Sequence, residues 1–379
     1  MKKPVYLDYN ATTPIDKEVA KEMIPYIETF YGNPSSSYQM GRKNKEAVEN
    51  AREQVAGLIN CKPDEIVFTS GGTESNNIAI KGIAFANKGK GKHIITTSVE
   101  HPAVMEVCKY LAGYGFEVTY LPVDKYGAVD TEGLANAIRK DTILISIMHA
   151  NNEVGTIQPI GQISSIANPK GIFVHTDAAQ SVGKIETNIT KLGVALLTIA
   201  GHKLYAPKGI GALYIRHGIK IENLMHGAGQ ERGIRPGTEN IIGIVGLGKA
   251  CEIAQRDLGK HQRHLLNMRE RLLEGLLFEL NNRVTINSNL NNSLPNTLSV
   301  AFDKVEAHTL ASLISNDILI STGSACHSGL TEVSPVLKAM NINITTAAST
   351  VRISIGKNTT KEEIDFAVKI ITNAVNQLS

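Results

Sequence analysis

The sequence predicts an α/β protein with a large domain built on a mostly parallel seven-stranded sheet and a smaller α+β domain. Three observations support this prediction. The chain has 379 residues, which exceeds what one hydrophobic core usually supports. Between residues 65 and 216, short β-rich runs alternate with helical stretches, as in parallel sheets covered by helices on both faces. Beyond residue 250 the sequence becomes helical and charged, with isolated strand-like runs.

The strands of the predicted large sheet are short runs rich in β-branched and apolar residues. They are residues 65–69, 93–97, 117–121, 142–148, 172–176, 196–200 and 211–216. The run 143–148, with the sequence ILISIM, is almost continuously apolar. Such a run fits a strand that is buried on both faces of its sheet.

The C-terminal region has a different pattern. Strand-like runs occur at residues 296–302, 318–321 and 350–355. The last segment predicts a helix with one apolar stripe, formed by Ile364, Val368, Ile371, Val375 and Leu378. Residues 321–329 are rich in Gly and Ser, which predicts a flexible loop.

Composition excludes several classes of function. The net charge of +3 is small for this length, and no Lys/Arg block indicates nucleic-acid binding. No apolar run reaches the length of a membrane span or of a signal peptide's core, so we expect a cytoplasmic protein with no membrane partner. The cysteines are scattered and form no CxxC pair, which argues against a disulfide framework or a zinc site. They are Cys61, Cys108, Cys251 and Cys326, and the pattern leaves room for one reactive thiol.

Polar groups follow five strands of the predicted sheet. They lie in residues 70–77, 99–101, 150–153, 177–180 and 201–203. In open α/β sheets ligands bind beyond the carboxyl ends of the strands. The sequence therefore predicts a binding site at this edge of the sheet.

Each of these groups also has a purely structural interpretation. Residues 71–73 (GGT) could form a plain turn before a helix, or an anion site at that helix N-terminus. Asp177 could cap a helix, although a carboxylate after an apolar strand favours a cationic partner such as a protonated pyridine nitrogen. His101, taken alone, is more often a core histidine with satisfied hydrogen bonds. Lys203 directly after a buried strand is harder to explain structurally, because desolvation lowers a lysine pKa and suits Schiff-base chemistry.

Six motifs, in order along nearly the whole chain, resemble the cysteine desulfurases, which are class V members of the fold-type I enzymes that use pyridoxal phosphate (PLP). The motifs are DYNATTP at residues 8–14, TSGGTESNN at 69–77, HANNEVG at 149–155, GHKLYAPKG at 201–209, GQERGIRPGT at 229–238 and GSAC at 323–326. The GSAC form resembles the group that carries its cysteine on a long mobile loop. The resemblance implies a PLP-binding domain at residues 15–255. It implies a small domain at residues 1–14 and 256–379, with the catalytic cysteine loop at about residues 321–335.

The resemblance also implies roles for residues around the cofactor ring. Lys203 would bind PLP covalently and later move the Cα proton. Asp177 would pair with the pyridine nitrogen, and Gln180 would donate to the ring hydroxyl. His101 would stack on the ring and assist proton transfer.

Further roles concern the phosphate and the substrate. By resemblance, Gly72, Thr73 and His202 would hold the phosphate, and Thr238 would reach the phosphate of the other subunit in a homodimer. Asn152 would contact cofactor and substrate. Together with Arg352 it would hold the carboxylate of L-cysteine, for which Arg is suited.

The activity implied by the resemblance converts L-cysteine to L-alanine. Cys326, as a thiolate, would take the sulfur as a persulfide and deliver it to an acceptor such as an iron–sulfur scaffold protein. The alternative for Cys326 is an ordinary free thiol in a loop.

Two positions depart from the family pattern and keep other functions open. Residue 200 is Ala, where the family usually has a Ser that touches the phosphate, and residue 327 is His, where many members have a small hydroxyl residue. Both resemble selenocysteine lyases, which would release selenide from L-selenocysteine. A non-catalytic PLP-binding assembly protein is a further alternative. A nucleotide-dependent hydride-transfer enzyme is disfavoured, because no GxGxxG follows the first strand.

Overall fold

The computed structural model describes residues 3–327 and 330–379, with side chains described for residues 3–323 and 333–379. The strands in this part of the chain are β1 (Val5–Tyr6), β2 (Ile66–Thr69), β3 (His93–Thr97), β4 (Glu117–Leu121), β5 (Thr142–Ser146), β6 (Phe173–Asp177), β7 (Leu196–Ala200), β8 (Gly211–Ile215), β9 (Val284–Ile286), β10 (Thr297–Phe302), β11 (Ile318–Leu319), β12 (Ser321–Thr322), β13 (Ser324–His327), β14 (Leu330–Val333) and β15 (Thr350–Ser354).

The α-helices of the described chain surround these strands. They are α1 (Lys17–Glu28), α2 (Gln39–Ile59), α3 (Gly72–Asn87), α4 (Pro102–Ala112), α5 (Thr131–Ala137), α6 (Ile160–Ala167), α7 (Ile189–Leu192), α8 (Ile241–Leu280), α9 (Ala307–Ile314), α10 (Pro335–Ala339), α11 (Ile344–Ala348) and α12 (Lys361–Leu378). No helix of the described residues combines the length and the apolar character that crossing a membrane requires.

The large sheet confirms the predicted fold class. Its seven strands have the order β2-β8-β7-β6-β5-β3-β4. The strands β7, β6, β5, β3 and β4 pair in parallel with their neighbours in this order. In this sheet only β8 is antiparallel to its neighbours, β7 and β2. The parallel strands therefore place their carboxyl ends along one edge.

Both faces of the large sheet are covered, which explains the near-continuous apolar runs. Successive strand residues alternate between two apolar cores: Leu144 packs into one and Ile145 into the other, and Leu196 and Leu197 divide in the same way. Such burial on both faces is typical of a parallel sheet.

The smaller unit is built on an antiparallel sheet of four strands in the order β12-β15-β10-β9. The apolar stripe predicted for the last helix is confirmed, because α12 packs into this unit's core. The N-terminal strand β1 joins the same unit by parallel pairing with β11. The predicted run 318–321 divides into β11 and β12, because the chain there changes its partner from β1 to β15.

Helix α8, of 40 residues, connects the two cores. Ile244 and Leu247 pack into the core of the large sheet, whereas Leu272 and Leu276 pack into the core of the smaller one. The change of core along α8 supports two domains, and their boundary at residues 255 and 256 stays a proposal.

Candidate active site

One cavity of about 410 Å³ lies where the carboxyl ends of the parallel strands meet β15 and the N-terminal segment. It brings together nine of the predicted site residues: Gly72, Thr73, His101, Asn152, Asp177, Gln180, His202, Lys203 and Arg352. Its size is that of a small-molecule site. A cavity therefore lies at the edge of the sheet where the sequence predicts a binding site.

Lys203 enters this cavity from a short 3₁₀ turn that directly follows β7. Its Nζ donates to the carbonyl oxygens of Asn10 at 2.5 Å and Ala11 at 2.7 Å. Burial lowers the pKa of Lys203 to about 8, and the Arg352 charge acts in the same direction, against Asp8 and Asp177. A lysine with such a pKa is partly neutral near pH 8, and the neutral amine is the form that attacks an aldehyde.

Asp177 is the last residue of β6 and is 7% exposed. Its Oδ2 accepts from Asn76 Nδ2 at 2.7 Å, and its Oδ1 accepts from the Ala179 amide at 2.9 Å. These donors hold the carboxylate at the cavity wall. A carboxylate in this position can stabilise a cation, such as a protonated pyridine nitrogen.

Two histidines line the cavity. His101 is the N-cap of α4, and its Nδ1 accepts from the Ala103 amide at 3.1 Å, so in the neutral ring the proton is on Nε2. Burial lowers the pKa of His101, with Asp177 opposing and Lys203 adding to the effect. The pKa of His202 falls to about 4 through burial and the charge of Lys203. Both rings are thus held neutral around pH 7.

The N-terminus of α3 forms one end of the cavity. Gly71, the N-cap, has φ of 148°, and no side chain caps the helix. A Cβ added to Gly72 would lie 3.4 Å from Ala200 Cβ. Exposed amides in the first turn of a helix are a natural anion site, so this end suits a phosphate.

Arg352 lines the cavity from β15. Its guanidinium donates to Asp8 Oδ1 at 2.6 Å and to the Asn152 carbonyl at 3.2 Å. Its Nε is buried and has no hydrogen-bond partner among the described groups. A buried unpaired donor is costly, and a substrate carboxylate would satisfy it.

Two predicted residues are not among the described groups that line this cavity. Thr238 is exposed and borders a separate cavity of about 460 Å³ between residues 225 and 238. Cys326 belongs to the hairpin of β13 and β14, where it is the register partner of Thr331, and its side chain lies outside the described residues.

Sequence reasoning assigned no role to Asn10 and Asn76, which also line the cavity. Both lie inside motifs that the sequence offered, DYNATTP and TSGGTESNN. Their polar side chains at buried positions could be recognised only once the fold was known, because an amide's partners come from distant parts of the chain.

The residues present fit PLP. The cavity offers an amine at Lys203, a carboxylate at Asp177, a helix N-terminus at Gly72 and a guanidinium at Arg352. Asn76 Oδ1 is a further buried acceptor without a described partner. These groups match, in kind, the aldehyde, the ring nitrogen and the phosphate of the cofactor and the carboxylate of an amino acid substrate.

Comparison with known proteins gives the class. A model of the aminotransferase class-V family matches residues 5–366, and the chain belongs to this family. The enzymes of this family are PLP-dependent, and PLP is the cofactor of this chain.

More particular relatives are cysteine desulfurases. IscS of Dictyoglomus turgidum is 50% identical over 100% of this chain and 96% of its own, and IscS of Methanosarcina thermophila is 49% identical over 99% and 93%. A solved NifS-like protein superimposes with a TM-score of 0.93 at 42% identity, covering 99% of this chain and 100% of its own. SspA in complex with cysteine has a TM-score of 0.82 at 37% identity, covering 95% and 100%. The predicted resemblance is confirmed.

Proposed function

We propose that this protein is a PLP-dependent cysteine desulfurase, which takes sulfur from L-cysteine as a persulfide on Cys326 and releases L-alanine. The observation that carries the proposal is the presence in one cavity of Lys203, Asp177 and Arg352, an amine, an acid and a carboxylate-binding group. Relatives of nearly the same length are cysteine desulfurases, which supports the same reaction here.

Lys203 holds the cofactor and moves protons at the substrate Cα. Lys203 would hold PLP covalently, and the bound cofactor would supply an electron sink for the bonds at the Cα of the amino acid. Asp177, whose carboxylate accepts a hydrogen bond from Asn76, would stabilise a positive charge on the pyridine nitrogen. His101 Nδ1 carries no proton, because it accepts a hydrogen bond from the Ala103 amide. The other ring nitrogen, Nε2, is therefore the one available for proton transfer.

Arg352 and Asn152 orient the substrate. The guanidinium binds the carboxylate of L-cysteine, and its contact with the Asn152 carbonyl fixes the direction of approach. The Cys326 thiolate then attacks the substrate sulfur: a new S–S bond forms as the carbon–sulfur bond breaks, and the electron pair of that bond returns to the substrate carbon. A proton completes L-alanine, and the persulfide passes to an acceptor such as an iron–sulfur scaffold protein.

The function is tested with the purified holoenzyme. Incubation with L-cysteine and a reducing thiol should release equal amounts of L-alanine and sulfide. Without the thiol, one persulfide per chain should form, mapped by mass spectrometry to Cys326. Alanine formation that is absent despite bound PLP would favour a non-catalytic assembly protein. Release of selenide from L-selenocysteine alone would favour a selenocysteine lyase.

We also propose a homodimer with shared sites, in which Thr238 contacts the phosphate in the partner's cavity. Thr238 is exposed and lies apart from the cavity of its own chain, which is the arrangement expected of a residue that serves another subunit. Sedimentation should give twice the chain mass of 40.9 kDa. Thr238→Val should weaken PLP binding by about tenfold, as for one lost charge-assisted hydrogen bond. An active monomer at assay concentration would contradict the proposal.

A cytoplasmic location is part of the same proposal. Cys61, Cys108 and Cys251 are free thiols in the described chain, and a persulfide-carrying cysteine needs reductants for its release. Free thiols are typical of a reducing compartment.

A further inference from the structure

Lys184 is a buried lysine that the reaction above does not use, and it contacts Asn10 and Gln180, two residues that line the cofactor cavity. It is 7% exposed, and lysine is rarely buried without a partner. Its Nζ donates to Asn10 Oδ1 at 2.9 Å and to Gln180 Oε1 at 2.8 Å. Both described partners are amide oxygens rather than carboxylates. Burial, together with the charges of Lys203 and Arg352, holds the pKa of Lys184 well below its usual range.

The turn that follows β6 fixes the position of Lys184 next to Gln180. Ser181 and Val182 amides donate to the Ala178 carbonyl, and the Lys184 amide donates back to Ser181. Gly183 has φ of 77°, and a Cβ there would lie 2.0 Å from Leu204 Cδ1. Only glycine fits this bend. The backbone therefore fixes where Lys184 projects.

Lys184 determines how the Gln180 amide is oriented. Lys184 Nζ donates to this amide, so it pairs with the oxygen end and leaves the nitrogen end to donate elsewhere. The other end, Gln180 Nε2, donates one N–H to the Asn10 carbonyl at 3.0 Å. The second N–H is left for the cavity, which Gln180 lines. With Lys184 in place, Gln180 presents a donor to the ring side of the site.

Asn10 connects the same lysine to Lys203. The Asn10 carbonyl accepts from both Lys203 and Gln180, and its side-chain oxygen accepts from Lys184 and from Asn296 at 3.0 Å. Its Nδ2 donates to Thr297 Oγ1 at 2.8 Å. Removing Lys184 would release one of the bonds that hold this residue against the reactive amine.

We propose that Lys184 is a positioning residue, which fixes the Gln180 amide as a donor to the cofactor's ring oxygen and steadies the Asn10 carbonyl beside Lys203. The inference rests on the proposed PLP site. It assigns to Lys184 an indirect action, through Gln180, on the proton held by the Lys203 nitrogen in the cofactor-bound enzyme.

The direction of the effect follows from electrostatics. A donor to the ring oxygen shares that oxygen's negative charge and weakens its attraction for the proton on the nearby Lys203 nitrogen. Loss of the donor strengthens that attraction. The pKa of the nitrogen therefore rises when Gln180 no longer presents its N–H.

The test is a pH titration of the visible absorbance of the holoenzyme without substrate. Lys184→Met fills similar space without a donor. It should raise the titration midpoint by about one unit, a tenfold change in proton affinity. Gln180→Ala should also raise it. If Lys184 acts through Gln180, the double variant should stay within about 0.3 unit of Gln180→Ala. The other charged or titratable groups around Lys203 are unchanged: Asp8, His101, Asp177, His202 and Arg352.

Lys357→Met is the matched control. Lys357 is also buried, with a side chain 7% exposed and its Nζ 2.5 Å from Asp16 Oδ2, and it does not line the cavity. Its loss should lower thermal stability and leave the midpoint unchanged. An unshifted midpoint in Lys184→Met, or shifts that add in the double variant, would overturn the proposal. If Lys184→Met does not fold, Lys184→Leu, which also lacks a donor, replaces it in the same cycle. A wild type with no titrating band would contradict the PLP site itself.

Discussion

Lys203→Ala is expected to bind no PLP covalently and to lower alanine formation from cysteine by about 10³-fold or more, since it removes both the covalent anchor and the group that moves the Cα proton. The structure gives Lys203 the required chemistry, because burial lowers its pKa to about 8. Borohydride reduction followed by peptide mapping should place the cofactor on Lys203 in the wild type and on no lysine in the variant.

Two further measurements sharpen the Lys203 result. In wild-type apoenzyme, the rate of PLP capture should rise with pH through a midpoint near 8, because the neutral amine is the attacking form. Lys208→Ala is the control. Lys208 lies five residues further along and is exposed, so its removal should leave the label on Lys203 and alanine formation unchanged. A reduced cofactor on any other lysine of the wild type would refute the assignment.

Much of the fold follows from local sequence patterns. The runs 93–97, 117–121 and 196–200 match β3, β4 and β7, because short runs rich in β-branched and apolar residues are typical of strands. The strands β9 and β1 were not predicted. Each has two or three residues, and their stability comes from pairing with distant strands rather than from their own composition.

Site residues at strand ends could be predicted from the sequence. Site residues whose role depends on contacts with distant parts of the chain could not. Asp177 is the last residue of β6, and Lys203 lies in the turn that follows β7. Because these neighbouring strands are parallel, the topology alone places the two residues at the same edge of the sheet. Lys184 lies in a turn and looks like a solvated charge in sequence. Its role becomes visible only when Asn10, 174 positions away, is found to accept its hydrogen bond.

Thr238 shows a different limit. A single chain leaves this residue at the surface, and its proposed ligand belongs to another subunit. The motif that contains it suggested the role, whereas neither periodicity nor strand order could, because these describe contacts within one chain.

Cys326→Ala is expected to separate cysteine from selenocysteine as substrates. The variant should bind PLP normally, because the described groups that line the cavity come from segments other than the β13–β14 hairpin. Turnover of L-cysteine should fall by about 10²–10³-fold, equivalent to about 3–4 kcal/mol of barrier. Without a thiolate at position 326, no nucleophile accepts the substrate sulfur. L-selenocysteine should lose less than about tenfold, because the carbon–selenium bond is weaker and selenolate leaves more readily, so that cleavage depends less on attack.

The measurement is L-alanine release by wild type and variant on both substrates under anaerobic conditions. Cys61→Ala is the control, because burial raises the pKa of the Cys61 thiol to about 12 and so removes its thiolate near neutral pH. That variant should keep wild-type activity on L-cysteine. If Cys326→Ala instead keeps near-normal activity on L-cysteine, Cys326 is not the nucleophile. The persulfide step proposed for this chain would then be wrong, even if PLP, Lys203 and Arg352 act as described.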